Sequence, residues 1–274
     1  MNNGKLTIRF SLSIVHSKIV HYLCAMRYFI EHSYKGTAYH GWQKQLNGIS
    51  VQEILENALE QILREKIEIT GSSRTDKGVH ATKQFAHFDS NFELKNLGNL
   101  AHRLNAILPK DIAIQKIFEV SGEAHARFDA VFRKYIYRIV PEKNPFWQDF
   151  AYCFRANFDF EKMNEAGKIL TQYTDYQAFS KVHTQVNNFE CQIEYAFWEQ
   201  KDGMILFHIK ANRFLRGMVR TIVGTMIEVG LNRISLEEFE QIILSKDRRK
   251  AGRAVPAAGL TLVEVGYDKL IFLK

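Results

Sequence analysis

The sequence predicts an α+β fold: a mainly antiparallel sheet with helices on one face, built as two similar halves that face each other across a cleft. Three observations carry this expectation. Period-two alternation marks strands, most strictly in VFRKYIYRIV (131–140). Apolar stripes at 3.6-residue spacing mark helices between them, the clearest being Val51, Ile54, Leu55, Ala58, Leu59, Ile62 and Leu63. Finally, the order of elements before residue 125 is followed by a similar order after it, without a residue-level repeat or a low-complexity linker. The expected division is an N-terminal extension over 1–26, one half over 27–125 and a second over 126–274.

Each element has its own warrant. Arg27–Ser33 alternates as a strand, and the glycines of YKGTAYHGWQ bend the chain after it. Ser50 and Glu53 form a capping box that opens the first helix. Ile67–Thr70 reads as a short strand leading into a loop, and Gln84–Asp89 as the strand that leaves it. Leu94, Leu97, Leu100, Ala101 and Leu104 predict a second helix stopped before Pro109, and Asp111–Val120 another strand. Beyond Val131–Val140, Asp159 caps a helix running to about Gln172. Cys191–Glu199 and Met204–Ala211 form a hairpin through Asp202 and Gly203. Arg213–Val229 is the second strong helix, with Gly230 to end it. Ser235 and Glu238 make another capping box, and Leu260–Tyr267 closes the chain as a strand.

Composition narrows the function classes. The chain has 274 residues, 46% of them hydrophobic, and a formal net charge of +7, which fits a polyanionic partner and equally a merely basic enzyme. Its three cysteines, Cys24, Cys153 and Cys191, have no CxxC spacing, which argues against a disulfide framework or thiolate zinc and points to the cytoplasm. No run of 18 apolar residues predicts a membrane span. His16, Lys18 and His21 interrupt what would be a signal-peptide core in residues 1–25, so the folded protein is expected to start near Met26. The ten histidines form no HExxH pattern, and neither a Walker loop nor GxGxxG is present, so no metal or nucleotide cofactor is expected.

The candidate chemistry begins in GSSRTDKGVHA (71–81). Asp76 reads either as a turn aspartate accepting backbone hydrogen bonds or as a carboxylate held ionised by a nearby arginine such as Arg74, with Gly78 admitting a ligand close to the backbone. Arg213, Arg216 and Arg220 fall on one face of the expected helix, as a solvated edge or as guanidiniums reaching phosphates or a carboxylate. Tyr135 and Tyr137 share a strand face with Arg133, which is expected between them and solvent; packing is the simpler reading of Tyr137. The loop with Lys246, Arg248, Arg249, Lys250 and Arg253 is a solvated charge run or a phosphate contact. His80, His87 and His125 read as structural.

These stretches together resemble the tRNA pseudouridine synthase A family. RTDKGVHA (74–81) looks like its active-site loop. KGTAYHGWQKQ (35–45), SVQEILENAL (50–59), LNAILPKDIAI (104–114), HARFDAVFRKYIYRI (125–139), ANRFLRGMVRTIVGTMIEVG (211–230) and AAGLTLVEVGY (257–267) follow in the family's order. The likeness covers essentially everything after Met26. Departures are few: Ser72 and Ser73 where Ala-Gly is commoner, Lys77 where a small residue is usual, and Lys35 for a common Asp.

The resemblance implies the pseudouridine synthase fold and conversion of uridine to pseudouridine in the anticodon stem-loop of tRNA. It also implies no cofactor, and a homodimer whose two subunits both contact the tRNA. It puts the essential aspartate at Asp76, the tyrosine that stacks on uracil at Tyr135, the basic partner of the aspartate at Arg220 and the helix-opening arginine at Arg74. Lys77, Arg213, Arg216, Arg248, Arg249 and Lys250 are the further RNA-contact candidates. Attack at C1′, attack at C6 and abstraction of a sugar proton all stay open. So do a non-catalytic tRNA-binding protein of the same fold and a synthase with another RNA target.

Overall fold

The computed structural model describes residues 26–182 and 188–272. The expected extension lies outside the described residues up to 25, and Met26 already belongs to the first strand. In chain order the elements are β1 (Met26–Tyr34), α1 (Val51–Leu63), β2 (Thr70–Gly71), β3 (His80–Ser90), α2 (Leu97–Ile107), β4 (Ile112–Val120), β5 (Ala130–Val140), β6 (Tyr152–Cys153), α3 (Phe160–Leu170), β7 (Ile193–Lys201), β8 (Met204–Ala211), α4 (Met218–Gly230), α5 (Leu236–Ser245) and β9 (Leu260–Tyr267).

One nine-stranded sheet organises them. Its main path runs β4-β1-β3-β9-β5-β8-β7, with β2 added to β3 and β6 to β5. Pairing is antiparallel except for β5 with β6 and for the seam, where β3 meets β9 in parallel at His80↔Thr261 and Ala81↔Leu262. Strands from the first 120 residues therefore lie on one side of that seam and later strands on the other. The helices pack on the sheet, α2 against β4 and α3 against β7, with α4 and α5 stacked beside α3. Tyr28, Ile30, Leu55 and Leu59 fill the core on one side of the seam, and Tyr137, Ile222, Val223 and Met226 fill it on the other.

Several boundaries differ from the periodic reading, each for a local reason. Residues 67–69 do not pair as a strand. Buried Glu56 on α1 accepts from Ile69 N at 3.2 Å, Glu60 accepts from Ile67 N at 3.2 Å, and the segment docks along the helix instead. α2 starts after Asn96, whose side chain accepts from Asn99 N, so Leu94 precedes the helix. α4 starts five residues later than the expected Arg213, because Gly217 takes a left-handed conformation (φ 72°) that breaks the helix toward its N-terminus. Arg213 and Arg216 therefore sit on the β8–α4 loop, and only Arg220 rides on the helix. The capping box of Ser235 and Glu238 forms as read.

Candidate active site

The seam carries the segment Ser72–Val79, which enters β3. Backbone and side-chain bonds fix it along its length. Ser72 N donates to Phe85 O at 2.7 Å, and Ser73 O accepts from Gln84 Nε2 at 3.0 Å. Thr75 O accepts from Trp42 N at 3.1 Å, and Val79 N closes a turn on Asp76 O at 3.1 Å. Tyr34 gives its proton to Gln84 Oε1 at 2.9 Å, so Thr75 Oγ1, 2.8 Å away, must donate to the tyrosine oxygen. Gly41, at φ 95°, lets the neighbouring loop come so close that a Cβ there would stand 2.6 Å from Thr75 O. Thr75 is thus buried, while Arg74 and Lys77 on either side of the Thr-Asp pair point outward. Lys77 Nζ donates to His40 Nε2 at 3.1 Å. The run of charge is a loop held rigidly, not a mobile solvated turn.

Among the described residues nothing donates a hydrogen bond to the Asp76 carboxylate, which is about a quarter exposed. Arg220 Nη1 stands 3.6 Å from Oδ2 and Arg216 Nε 3.8 Å from Oδ1. Both arginines come from the other side of the seam. Arg220 is aimed by a two-way clamp: its Nε donates to Val255 O at 2.7 Å, and Val255 N donates to Arg220 O at 3.2 Å. Residues 252–255 are pressed onto α4, since Gly252 N donates to Thr225 Oγ1 at 2.9 Å and a Cβ on Gly224 would overlap the Arg253 carbonyl.

Tyr135 lies on β5 opposite Leu262 of β9, 7% exposed, with Phe214 edge-on at 5.2 Å. Burial pushes its hydroxyl up to about 12; the Arg133 charge opposes the shift and the nearby Asp76 charge adds to it. The phenol therefore stays protonated at neutral pH. Tyr137 is fully buried and donates to Pro256 O at 2.9 Å, a packing role.

Arg133 corrects its expected place at the solvent edge. It is buried, and its two terminal nitrogens donate to Ala130 O at 2.7 Å, Asn212 O at 2.9 Å, Ser72 O at 3.0 Å and Arg127 O at 2.6 Å. One guanidinium thus staples the start of the Asp76 loop, the 125–130 turn and the β8–α4 loop. Periodicity put Arg133 on the right face but carried no sign of the carbonyls that meet it. Arg127 was missed as well, although it stands in a quoted motif. So were Tyr34, Gln84, Phe214 and Val255, which act through partners distant in sequence.

Arg248, Arg249 and Lys250 make no contact with Asp76. Arg248 Nη1 donates to Ala251 O at 3.2 Å, and Arg249 pairs within its own loop with Asp247 at 2.7 Å. His80 and His87 accept backbone N–H groups from Gly36 and Ala126 at 3.0 and 3.1 Å, so their δ-nitrogens serve the fold. Among the described residues no group of three His, Cys, Asp or Glu side chains could hold a metal ion.

The family model for tRNA pseudouridine synthase matches residues 31–129 and 173–268, stretches that contain Asp76, Arg216 and Arg220. The chain belongs to the tRNA pseudouridine synthase family. Among curated members of the family, the tRNA pseudouridine synthase A of Parabacteroides distasonis is 47% identical over 246 residues, 90% of this chain and 98% of the relative. That of Bacteroides fragilis is 47% identical over 251 residues, covering 91% of this chain and 100% of the relative. The Porphyromonas gingivalis synthase is 43% identical over 250 residues, or 90% of this chain and 99% of that one. Tyr135 and Arg133 fall between the two stretches matched by the family model but within the chain length the relatives cover.

Proposed function

We propose that this protein isomerises uridine to pseudouridine in the anticodon stem-loop of tRNA, with Asp76 as the essential carboxylate. The observation that carries the reading is the carboxylate itself. It sits on a rigid loop at the seam, opposed by two guanidiniums from the far side, accepting no hydrogen bond from the described residues and beside a protonated tyrosine.

In this reaction the N1–C1′ bond breaks and a C5–C1′ bond forms. C5 loses its hydrogen and N1 gains one, so nothing is oxidised and no group leaves. The carboxylate acts as nucleophile or base, with Arg220 and Arg216 facing one oxygen each. A uridine inside a stacked stem has to be extruded, at roughly a few kcal/mol. Arg74, exposed on the same loop, takes the space the base leaves. Tyr135 then covers one face of the uracil, with its hydroxyl positioned to handle the C5 proton. Lys77, Arg213, Arg248, Arg249 and Lys250 contribute phosphate contacts. The family resemblance further implies a homodimer in the cytoplasm.

Asp76→Ala tests the assignment. Release of tritium from C5-labelled uridine in tRNA is expected to fall by at least about a thousandfold. Affinity for tRNA should stay within about tenfold, or about 1.4 kcal/mol. The substitution removes no fold-stabilising hydrogen bond, so full turnover by this variant would overturn the role of Asp76.

A further inference from the structure

The Arg133 staple has a second consequence. Each of the three segments it gathers carries another arginine within two residues of the stapled carbonyl or at it: Arg74 after Ser72, Arg127 itself, and Arg213 after Asn212. Arg74 and Arg127 are exposed and Arg213 is half-buried. No carboxylate forms an ion pair with any of the three among the described residues, whereas Arg27 pairs with Asp89 and Lys210 with Glu194. Asp129, the nearest acid in sequence to Arg127, accepts from His125 N at 2.7 Å through Oδ2. Partial burial and the charges of Arg74 and Arg213 hold the Arg127 guanidinium below its usual pKa, so the three groups feel one another.

Like charges brought together by a buried staple, both of whose terminal nitrogens are engaged by carbonyls, do not stabilise a free protein. They are an arrangement that an arriving anion relieves, and planar guanidiniums match phosphate oxygens in bidentate fashion. The 125–130 turn is itself built to present Arg127. His87 Nδ1 accepts from Ala126 N at 3.1 Å, and His125 Nδ1 accepts from Arg127 N at 3.1 Å and Phe128 N at 3.2 Å.

We propose that Arg127 and Arg213 form a phosphodiester-binding site beside Arg74 and the Asp76 loop, and that Arg127 is the residue dedicated to it. The site grips the RNA backbone of the strand that carries the target uridine and holds that strand against the loop while the base leaves the stack. This rests on the proposed function, since it takes RNA as the anion, and it adds a contact outside the reacting group.

The test is a binding cycle that does not depend on turnover. Full-length tRNA is assembled from synthetic pieces with one neutral methylphosphonate at each phosphate of the anticodon arm in turn. At one position the neutral linkage should weaken wild-type binding by about tenfold but weaken Arg127→Ala, an exposed and fold-neutral change, by less than about twofold. Arg127→Ala on unmodified tRNA should also lower the slope of log affinity against log salt by about 0.7 to 0.9. Its loss of turnover should fall on KM more than on kcat, with Arg127→Lys restoring the slope. If every methylphosphonate costs the wild type and the variant equally, or none weakens the wild type, the site is refuted. A wild-type protein that binds with this pattern yet forms no pseudouridine would instead refute the proposed activity and leave the phosphate site standing.

Discussion

At Tyr135, burial and chemistry meet in one side chain. A phenol pushed up to about 12 keeps its proton across the range in which tRNA is stable, so in the proposed reaction it is available as a donor and a stacking surface. Removing the hydroxyl in Tyr135→Phe should preserve stacking and lower turnover by about a hundredfold or more. Between pH 7 and 9, the wild-type rate should show no falling limb from phenol ionisation, and Tyr135→Phe should trace the same profile at lower height. A wild-type limb in that window that vanishes in Tyr135→Phe would contradict the protonated state. Arg220 shows the complementary case. Its value to Asp76 comes from direction, and direction comes from Val255 O accepting from Nε at 2.7 Å. Arg216 has no such clamp and is 60% exposed, which makes it the looser of the two partners.

At the scale of elements, α4 and the segment after the basic loop work as a pair. Gly224 gives the Arg253 carbonyl room against the helix, and Gly252 N is tied to Thr225. An added methyl at Gly224 must push residues 253–255 off the helix and carry the Val255 anchor away from Arg220. Gly224→Ala should therefore lower kcat/KM at least about tenfold, about 1.4 kcal/mol in the barrier, although Gly224 is buried against Arg253. Tritium release measured alongside thermal unfolding checks this. Activity at the wild-type level would show that Arg220 does not need the Val255 clamp. The short seam of β3 and β9 has a similar logic. Only two residue pairs join the halves in parallel, and the Asp76 loop opens directly from the first of them.

Across the whole molecule, buried imidazoles set the response to acid. His32 is fully buried with Nδ1 3.2 Å from Ile30 O, so it donates there and carries no proton on Nε2. Burial lowers the pKa of both His32 and His87 to about 4. Above the unfolded value of about 6.5, both are neutral folded or unfolded, and their contribution to stability is fully present. As pH falls from there toward 4, the unfolded chain binds protons that the folded one refuses, and stability is lost. From pH 7 to pH 5 the loss should be about 2 kcal/mol for each histidine, on the scale of 1.36 kcal/mol per pKa unit. Urea unfolding at the two pH values measures it, and equal stability at both would contradict the buried neutral histidines. Because His87 also holds the turn that presents Arg127, acid should loosen RNA binding before the chain unfolds.

By itself, the sequence determined the α+β class, the two series of elements, the caps at Ser50 and Ser235, and a motif set specific enough to point to Asp76, Tyr135, Arg220 and Arg74. The class, the elements and the caps depend on side-chain periodicity and on neighbours a few residues apart, whereas the four site residues follow from the resemblance of those motifs to the family. Only the tertiary structure decided that Arg213 and Arg216 precede the helix, since one left-handed glycine overrides an unbroken apolar stripe. The docking of residues 67–69 on α1 and the Arg133 staple were likewise invisible. A period says which face a residue occupies, whereas the carbonyls that meet Arg133 come from as far as 79 residues away. The cluster of Arg74, Arg127 and Arg213 exists only because that one buried guanidinium brings three distant segments to a point.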